Sequence, residues 1–272
     1  MKKLICFGAV LLACNAIASP AVNYTDGGKK QGVPVVFIHA FPLNQRMWDD
    51  QVSVLKHSAR VVTFDIRGLG KSKSQGPYTL EFVVDDLISL MDQLKIDKAV
   101  VVGLSMGGFV ALRAAERNPD RILGLVLADT KAEADSDKSK LGRYEALKVI
   151  KDKGLKTLVE DFVKKSLSPD TKAFKDTVDI AMKNSADGVS AALLALTSRT
   201  DTTAGLASIH VPTVILQGEN DMVIPLESAK VLNEKIPGSR FFIIPKAGHL
   251  SNLDNPQAFN VKLTEFVNEF KK

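Results

Sequence analysis

Cysteine is nearly absent. The chain of 272 residues holds two, Cys6 and Cys14, both close to the N-terminus. The rest of the chain can form neither a disulfide nor a thiolate metal site. A strong excess of one charge is missing as well: 36 Lys and Arg face 31 Asp and Glu, a formal +5. Two of those positive charges, Lys2 and Lys3, lie in a segment expected to be removed. So mild an excess argues against nucleic acid or an anionic surface as a partner. Internal repeats and low-complexity tracts are lacking, which excludes solenoids and compositionally biased arrays. The spacing of a phosphate-binding loop, Gly-x4-Gly-Lys-Ser/Thr, is lacking too. The turn Asp65-Ile66-Arg67-Gly68-Leu69-Gly70-Lys71-Ser72 is glycine-rich, but no helix pattern follows it directly.

At the N-terminus stand a basic start, Met1-Lys2-Lys3, and an apolar run over residues 4–13. The run is too short to cross a bilayer as a helix, so it reads as an export signal. Ala16-Ile17-Ala18 before Ser19 suits ordinary signal peptidase and gives a leader of residues 1–18. Leu11-Leu12-Ala13-Cys14 resembles a bacterial lipobox, which would remove residues 1–13 and acylate Cys14. The expected location is outside a bacterial cytoplasm: periplasmic or secreted, or the outer membrane as a lipoprotein. A membrane is expected as a partner only if Cys14 is lipidated.

An apolar content of 45% at this length supports one sizeable core. Short apolar runs at 33–39, 60–65, 99–102 and 122–128 read as strands, with helical patterns at 47–56, 79–94 and 109–116 between them. Thr79 is placed to cap the second of those helices. One further short strand is expected at 22–24, with Asp26-Gly27-Gly28 as its turn. Strands alternating with helices imply a mostly parallel sheet with helices on both faces. That rhythm breaks at 131–207, which carries helical patterns at 141–150, 155–167, 171–184 and 188–196 and no strand candidate. It reads as an inserted helical cap over the strand ends, between core segments 22–130 and 208–272; the plainer alternative is a helical extension of the fold. The rhythm resumes with strands at 213–217 and 240–244 and helices at 226–235 and 256–270.

Chemistry concentrates at Gly103-Leu104-Ser105-Met106-Gly107. A buried strand runs into a helix there with serine at the corner. Glycines on both sides let strand and helix pass close, and the helix N-terminus favours negative charge beside the hydroxyl. A serine hydroxyl needs a base, and the base needs an orienting acid. Of four histidines, His57 and His210 read as surface or packing residues. His39 ends a strand and begins the loop His39-Ala40-Phe41-Pro42, with Trp48 expected beneath it. His249 follows Gly248 past the last strand, where a base for Ser105 must sit. The acid candidates are Asp221, in the loop after 213–217, and Asp129, at the end of 122–128. The order Ser105, Asp221, His249 suits an elbow hydrolase.

The chain resembles the α/β-hydrolase superfamily from about Gly32 onward. The resemblance rests on the His39-Ala40-Phe41-Pro42 loop, Asp65-x-Arg67-Gly68-x-Gly70-x-Ser72, the serine elbow, Gly218-x-x-Asp221-x-x-x-Pro225 and Ala247-Gly248-His249. Leu127-Ala128-Asp129-Thr130-Lys131-Ala132 and Gly248-His249-Leu250-Ser251-Asn252 are similar to the carboxylesterase and 3-oxoadipate enol-lactonase branch. The resemblance implies an α/β-hydrolase fold with an inserted helical cap. It implies Ser105 as nucleophile, His249 as general acid and base, Asp221 as orienting acid, and the backbone N–H groups of Phe41 and Met106 as oxyanion donors. The usual His-Gly is His39-Ala40 here, which fits only if φ of Ala40 is negative.

The implied activity is hydrolysis of small to medium, largely apolar carboxylic esters through an acyl-enzyme. It needs no metal and no organic cofactor. Lactone hydrolysis, carbon–carbon hydrolysis and cofactor-free perhydrolysis would use the same residues. A dehalogenase or epoxide hydrolase would carry Asp in place of Ser105, and a binding protein on this fold would often lack one of the three. The cap is expected to line an acyl pocket from some of Leu147, Leu158, Phe162, Met182, Leu193 and Leu194. No Arg or Lys in it stands out as a carboxylate clamp.

Overall fold

The structure, a computed structural model, describes residues 22–73 and 76–271. The expected leader and the lipidation candidate Cys14 lie outside the described residues. Seven strands form one sheet: β1 (Tyr24–Gly28), β2 (Val33–Ile38), β3 (Ala59–Phe64), β4 (Ala99–Leu104), β5 (Ile122–Ala128), β6 (Thr213–Gly218) and β7 (Arg240–Ile244). Their spatial order is β1-β3-β2-β4-β5-β6-β7. Every neighbouring pair is parallel except β1 with β3.

The apolar runs of the central strands are continuous because both sheet faces are covered. Along β2, Val36 and Ile38 enter one buried cluster while Val35 and Phe37 enter the other. Helices α1 (Asp49–Leu55), α2 (Leu80–Gln93) and α3 (Met106–Arg117) follow the early strands. Helices α2 and α3 cover the Val36 face, and α1 gives Leu55 to the Phe37 face. After β5 come α4 (Asp137–Lys153), α5 (Leu155–Ser166), α6 (Phe174–Ala181) and α7 (Ala186–Thr197), with no strand among them. The chain returns through β6, α8 (Leu226–Lys235), β7, α9 (Ser251–Asp254) and α10 (Pro256–Asn268). Ala229 and Leu232 of α8 join the Val36 face, and Phe259, Leu263 and Phe266 of α10 join the Phe37 face. The parallel strands thus end at one edge, where open sheets of this kind place their ligands.

Several local expectations are corrected. The first strand is not 22–24 but Tyr24–Gly28, so Asp26-Gly27-Gly28 is strand and not turn. It pairs with β3, Gly27 opposite Val61. The Asp26 carboxylate holds it there by accepting from Arg60 Nε at 3.0 Å and Nη2 at 2.9 Å. The turn falls later, where Gly32 N–H donates to Lys29 O at 2.8 Å. Thr79 sits at the N-cap of α2 but its hydroxyl makes no capping bond; only its carbonyl serves, accepting from Phe82 N–H. The helix expected at 47–56 is a 3-10 turn, Gln45–Trp48, running into α1. The helix expected at 171–184 shortens to α6, because Thr171 Oγ1 accepts from Ala173 N–H and closes a competing turn. Pro256 opens α10 with Asn255 Oδ1 accepting from Ala258 N–H, which separates it from α9.

Candidate active site

Strand β4 ends at the corner residue Ser105, whose φ of 53° and ψ of −112° lie where L residues rarely rest. Neighbouring contacts fix it. Ser105 N–H donates to Ala128 O at 2.9 Å, and Ser105 O accepts from Thr130 Oγ1 at 2.9 Å. The flanking glycines have a steric reason. A Cβ on Gly103 would overlap the Gly107 carbonyl, and one on Gly107 would overlap the Ile38 carbonyl. Helix α3 therefore starts hard against the end of β2, with Ser105 at the lip of the sheet and only 8% exposed.

The loop after β7 brings His249 to that serine. His249 Nε2 and Ser105 Oγ are 2.8 Å apart. His249 Nδ1 and Asp221 Oδ2 are 2.9 Å apart, both side chains buried. Asp221 is held on every side: Oδ1 accepts from Val223 N–H at 2.7 Å and Ile224 N–H at 2.9 Å, and Oδ2 also accepts from Gln217 Nε2 at 2.8 Å. With Nδ1 donating to the carboxylate, Nε2 is left as the acceptor facing the hydroxyl. The loop is clamped from below. Asp254 Oδ2 accepts from Gly248 N–H at 2.7 Å and from Ser168 N–H at 2.8 Å. Asn252 Nδ2 donates to Met47 O at 2.8 Å.

The second acid candidate, Asp129, does not hydrogen-bond to His249. Its carboxylate accepts from Gly218 N–H at 2.7 Å, Ser251 N–H at 3.1 Å and Ser251 Oγ at 2.6 Å. It ties the end of β6 to the histidine loop. Burial, and then the nearby Asp221 charge, push its carboxyl well above the usual carboxylate range.

The loop after β2 carries Phe41. Ala40 is not among the positive-φ residues, which are Lys95, Ser105, Asp129 and Lys246, so alanine fits without strain. The buried His39 ring holds the loop to the segment just after β3: Nδ1 donates to Ala40 O at 2.9 Å and Nε2 accepts from Ile66 N–H at 2.9 Å. That pattern fixes the neutral tautomer, and burial lowers the pKa of the ring. Trp48 lies beneath, its ring centroid 4.9 Å from that of Phe37. Met106 begins α3, so its N–H has no intrahelical acceptor. Asn184, after α6, joins the inserted helices to this loop. Its Nδ2 donates to Pro42 O and Leu43 O, and its Oδ1 accepts from Gly70 N–H. Sequence reasoning missed Asn184, because an Asn after a polar helix carries no signal until its partners are known.

A cavity of about 280 Å³ opens over Ser105 and His249. Its apolar wall includes Phe41, Leu158, Phe162, Leu193 and Leu196. Phe162 meets Phe41 edge-on at 5.5 Å. Of the six residues expected in an acyl pocket, Leu158, Phe162 and Leu193 line this cavity, and Leu147, Met182 and Leu194 do not. A charged wall was not expected: Lys131, Asp135 and Arg143 line it as well. A larger opening of about 760 Å³ near Gly70 and α7 includes neither Ser105 nor His249. Among the described residues no group of three or more His, Cys, Asp or Glu could hold a metal ion, and no helix is long and apolar enough to cross a membrane.

A family model described as alpha/beta hydrolase fold matches residues 33–256. Among curated proteins, a 3-oxoadipate enol-lactonase of Acinetobacter baylyi is 31% identical over 252 residues, covering 88% of this chain and 90% of its own. Among solved structures, a thermophilic esterase from Thermogutta terrifontis, malate bound, superposes with a TM-score of 0.87 at 32% identity, covering 92% of this chain and 94% of its own. An enol-lactonase from Burkholderia xenovorans superposes with a TM-score of 0.84 at 26% identity, covering 91% and 96%.

Proposed function

Because the chain belongs to the α/β-hydrolase fold family, we propose that Ser105, His249 and Asp221 work together as its hydrolytic machinery. The protein is a serine hydrolase acting on small to medium carboxylic esters. The observation that carries the residue assignment is the unbroken hydrogen-bond chain from Ser105 Oγ through the imidazole of His249 to Asp221. Ser105 Oγ attacks the ester carbonyl while His249 Nε2 takes its proton. Asp221 holds the ring in the required tautomer and stabilises the imidazolium. The oxyanion rests on the N–H groups of Phe41 and Met106, each contributing about 3 kcal/mol in comparable sites. His249 then protonates the leaving alkoxide, and water, activated by the same ring, releases the acid from Ser105.

A lactone is a cyclic ester and needs no new step. The enol-lactonases among the relatives favour including lactones in the substrate range. The test is turnover of p-nitrophenyl acetate and butyrate by wild type and Ser105→Ala. The variant is expected to lose at least about 10⁴-fold in kcat. Equal rates near background would instead favour a non-catalytic binding protein on this fold.

A further inference from the structure

Three cations, Lys131, Arg143 and Arg199, gather around Asp135 beside the cavity over Ser105; Lys131 and Arg143 line that cavity, and only the two arginines are hydrogen-bonded to Asp135. Asp135 Oδ2 accepts from Arg143 Nε, and Asp135 Oδ1 accepts from Arg199 Nη2 at 3.1 Å. Lys131 Nζ lies 3.9 Å from Asp135 Oδ1, too far for a hydrogen bond, and donates none elsewhere among the described residues. Glu133 is the other carboxylate whose charge acts on Lys131, yet its buried Oε2 has no partner. Arg199 is also balanced by the charge of Asp201, so Lys131 is the cation of the three left without a hydrogen bond. The Lys131 side chain is only 17% exposed, and the surface it keeps lines the same cavity as Ser105 and His249. Burial first, and then the charge of Arg199, hold its ammonium below the usual lysine pKa.

An ammonium carries three donors, and leaving them unserved in a half-buried site is costly. A neutral ester entering this cavity would not help it. A carboxylate would supply acceptors for a charge-assisted bond and an opposing charge. The placement suits such a ligand. Lys131 leaves the end of β5, which neighbours the β4 strand that delivers Ser105. Much of the remaining lining is apolar, and about 280 Å³ is small for a ligand cavity, which favours a short chain between carboxylate and ester. We propose that this cavity takes short esters or lactones bearing a free carboxylate, and that Lys131 is the specificity residue that receives it. The inference rests on the reading of Ser105 as the hydrolytic nucleophile.

Monomethyl glutarate and dimethyl glutarate form a matched pair that differs in one charge. Wild type is expected to show kcat/KM at least about tenfold higher for the half-ester, the size of one charge-assisted contact. In Lys131→Met that ratio should fall at least about tenfold, through a rise in KM, and Lys131→Arg should keep most of it. A wild-type preference for the dimethyl ester, or an unchanged ratio in Lys131→Met, overturns the proposal. Should Lys131→Met fail to fold, wild type alone decides. Glutarate must then inhibit dimethyl glutarate hydrolysis competitively and glutaramide must not; equal inhibition overturns the proposal. The two readings separate cleanly. Ser105-dependent hydrolysis of dimethyl glutarate with no carboxylate preference sinks only this inference. Turnover of neither ester, with Ser105→Ala matching wild type, sinks the hydrolytic reading and this one with it.

Discussion

Two carboxylates lie beneath the His249 loop and do different work. Asp221 bonds to the ring; Asp129 bonds to the backbone that carries the ring. Replacing each by Asn tests the division. Asp221→Asn should lower kcat by about 10⁴-fold, because the wrong tautomer then faces Ser105. Asp129→Asn should lower it by no more than about tenfold but cost about 1–3 kcal/mol of stability, since Gly218 and Ser251 lose good acceptors. Parallel ester kinetics and urea unfolding decide. Loss of turnover in Asp129→Asn alone would reverse the assignment. Sequence reasoning reached both residues as candidates, because an acid at a strand end is visible in the chain. It could not rank them by contact, since the ranking depends on which carboxylate oxygen meets Nδ1. The charges at Lys131 and Arg143 were visible too, but their convergence on one Asp was not.

At the scale of elements, strand β4 and helix α3 were readable, because a β-branched run, a glycine-flanked serine and a helix-favouring stretch are all local signals. Less readable was how the inserted helices grip the rest. Asn184 alone reaches two core loops, the one carrying Phe41 and the one carrying Gly70. A Cβ at Gly70 would overlap the Asp65 carboxylate, so that turn has little room to adjust if the tie is lost. Asn184→Ala leaves the Pro42 carbonyl and the Gly70 N–H without this partner. It should cost about 2 kcal/mol by urea unfolding. Because the Pro42 tie steadies the neighbouring Phe41 N–H, it should also reduce kcat more than it raises KM for p-nitrophenyl butyrate. Unchanged stability and kinetics would show that the helices hold the loop through other contacts, such as Phe162 on Phe41 and the bond from Asn44 Nδ2 to Ile180 O at 2.9 Å.

For the whole molecule, the buried His39 ring makes a prediction about pH. Burial lowers its pKa in the fold, opposed by the Ala40 bond and the Asp65 charge. The unfolded chain therefore binds the proton more readily than the folded one. The contribution of His39 is complete above about pH 6.5, the ordinary histidine value, and is given up as pH falls below it. Urea midpoints of wild type should drop between pH 7 and 5 more steeply than those of His39→Asn. Parallel curves would show that His39 does not carry the effect. The same ring shows where sequence and structure divide. The order and kind of elements, the elbow and the Ser–Asp–His succession were set along the chain itself, because periodicity, glycine spacing and β-branching act over a few residues. Where the first strand pairs, which helices split, which leucines line the cavity and which charges meet over Ser105 were decided only in three dimensions. Each of those depends on partners tens of residues away, and no local pattern records who they are.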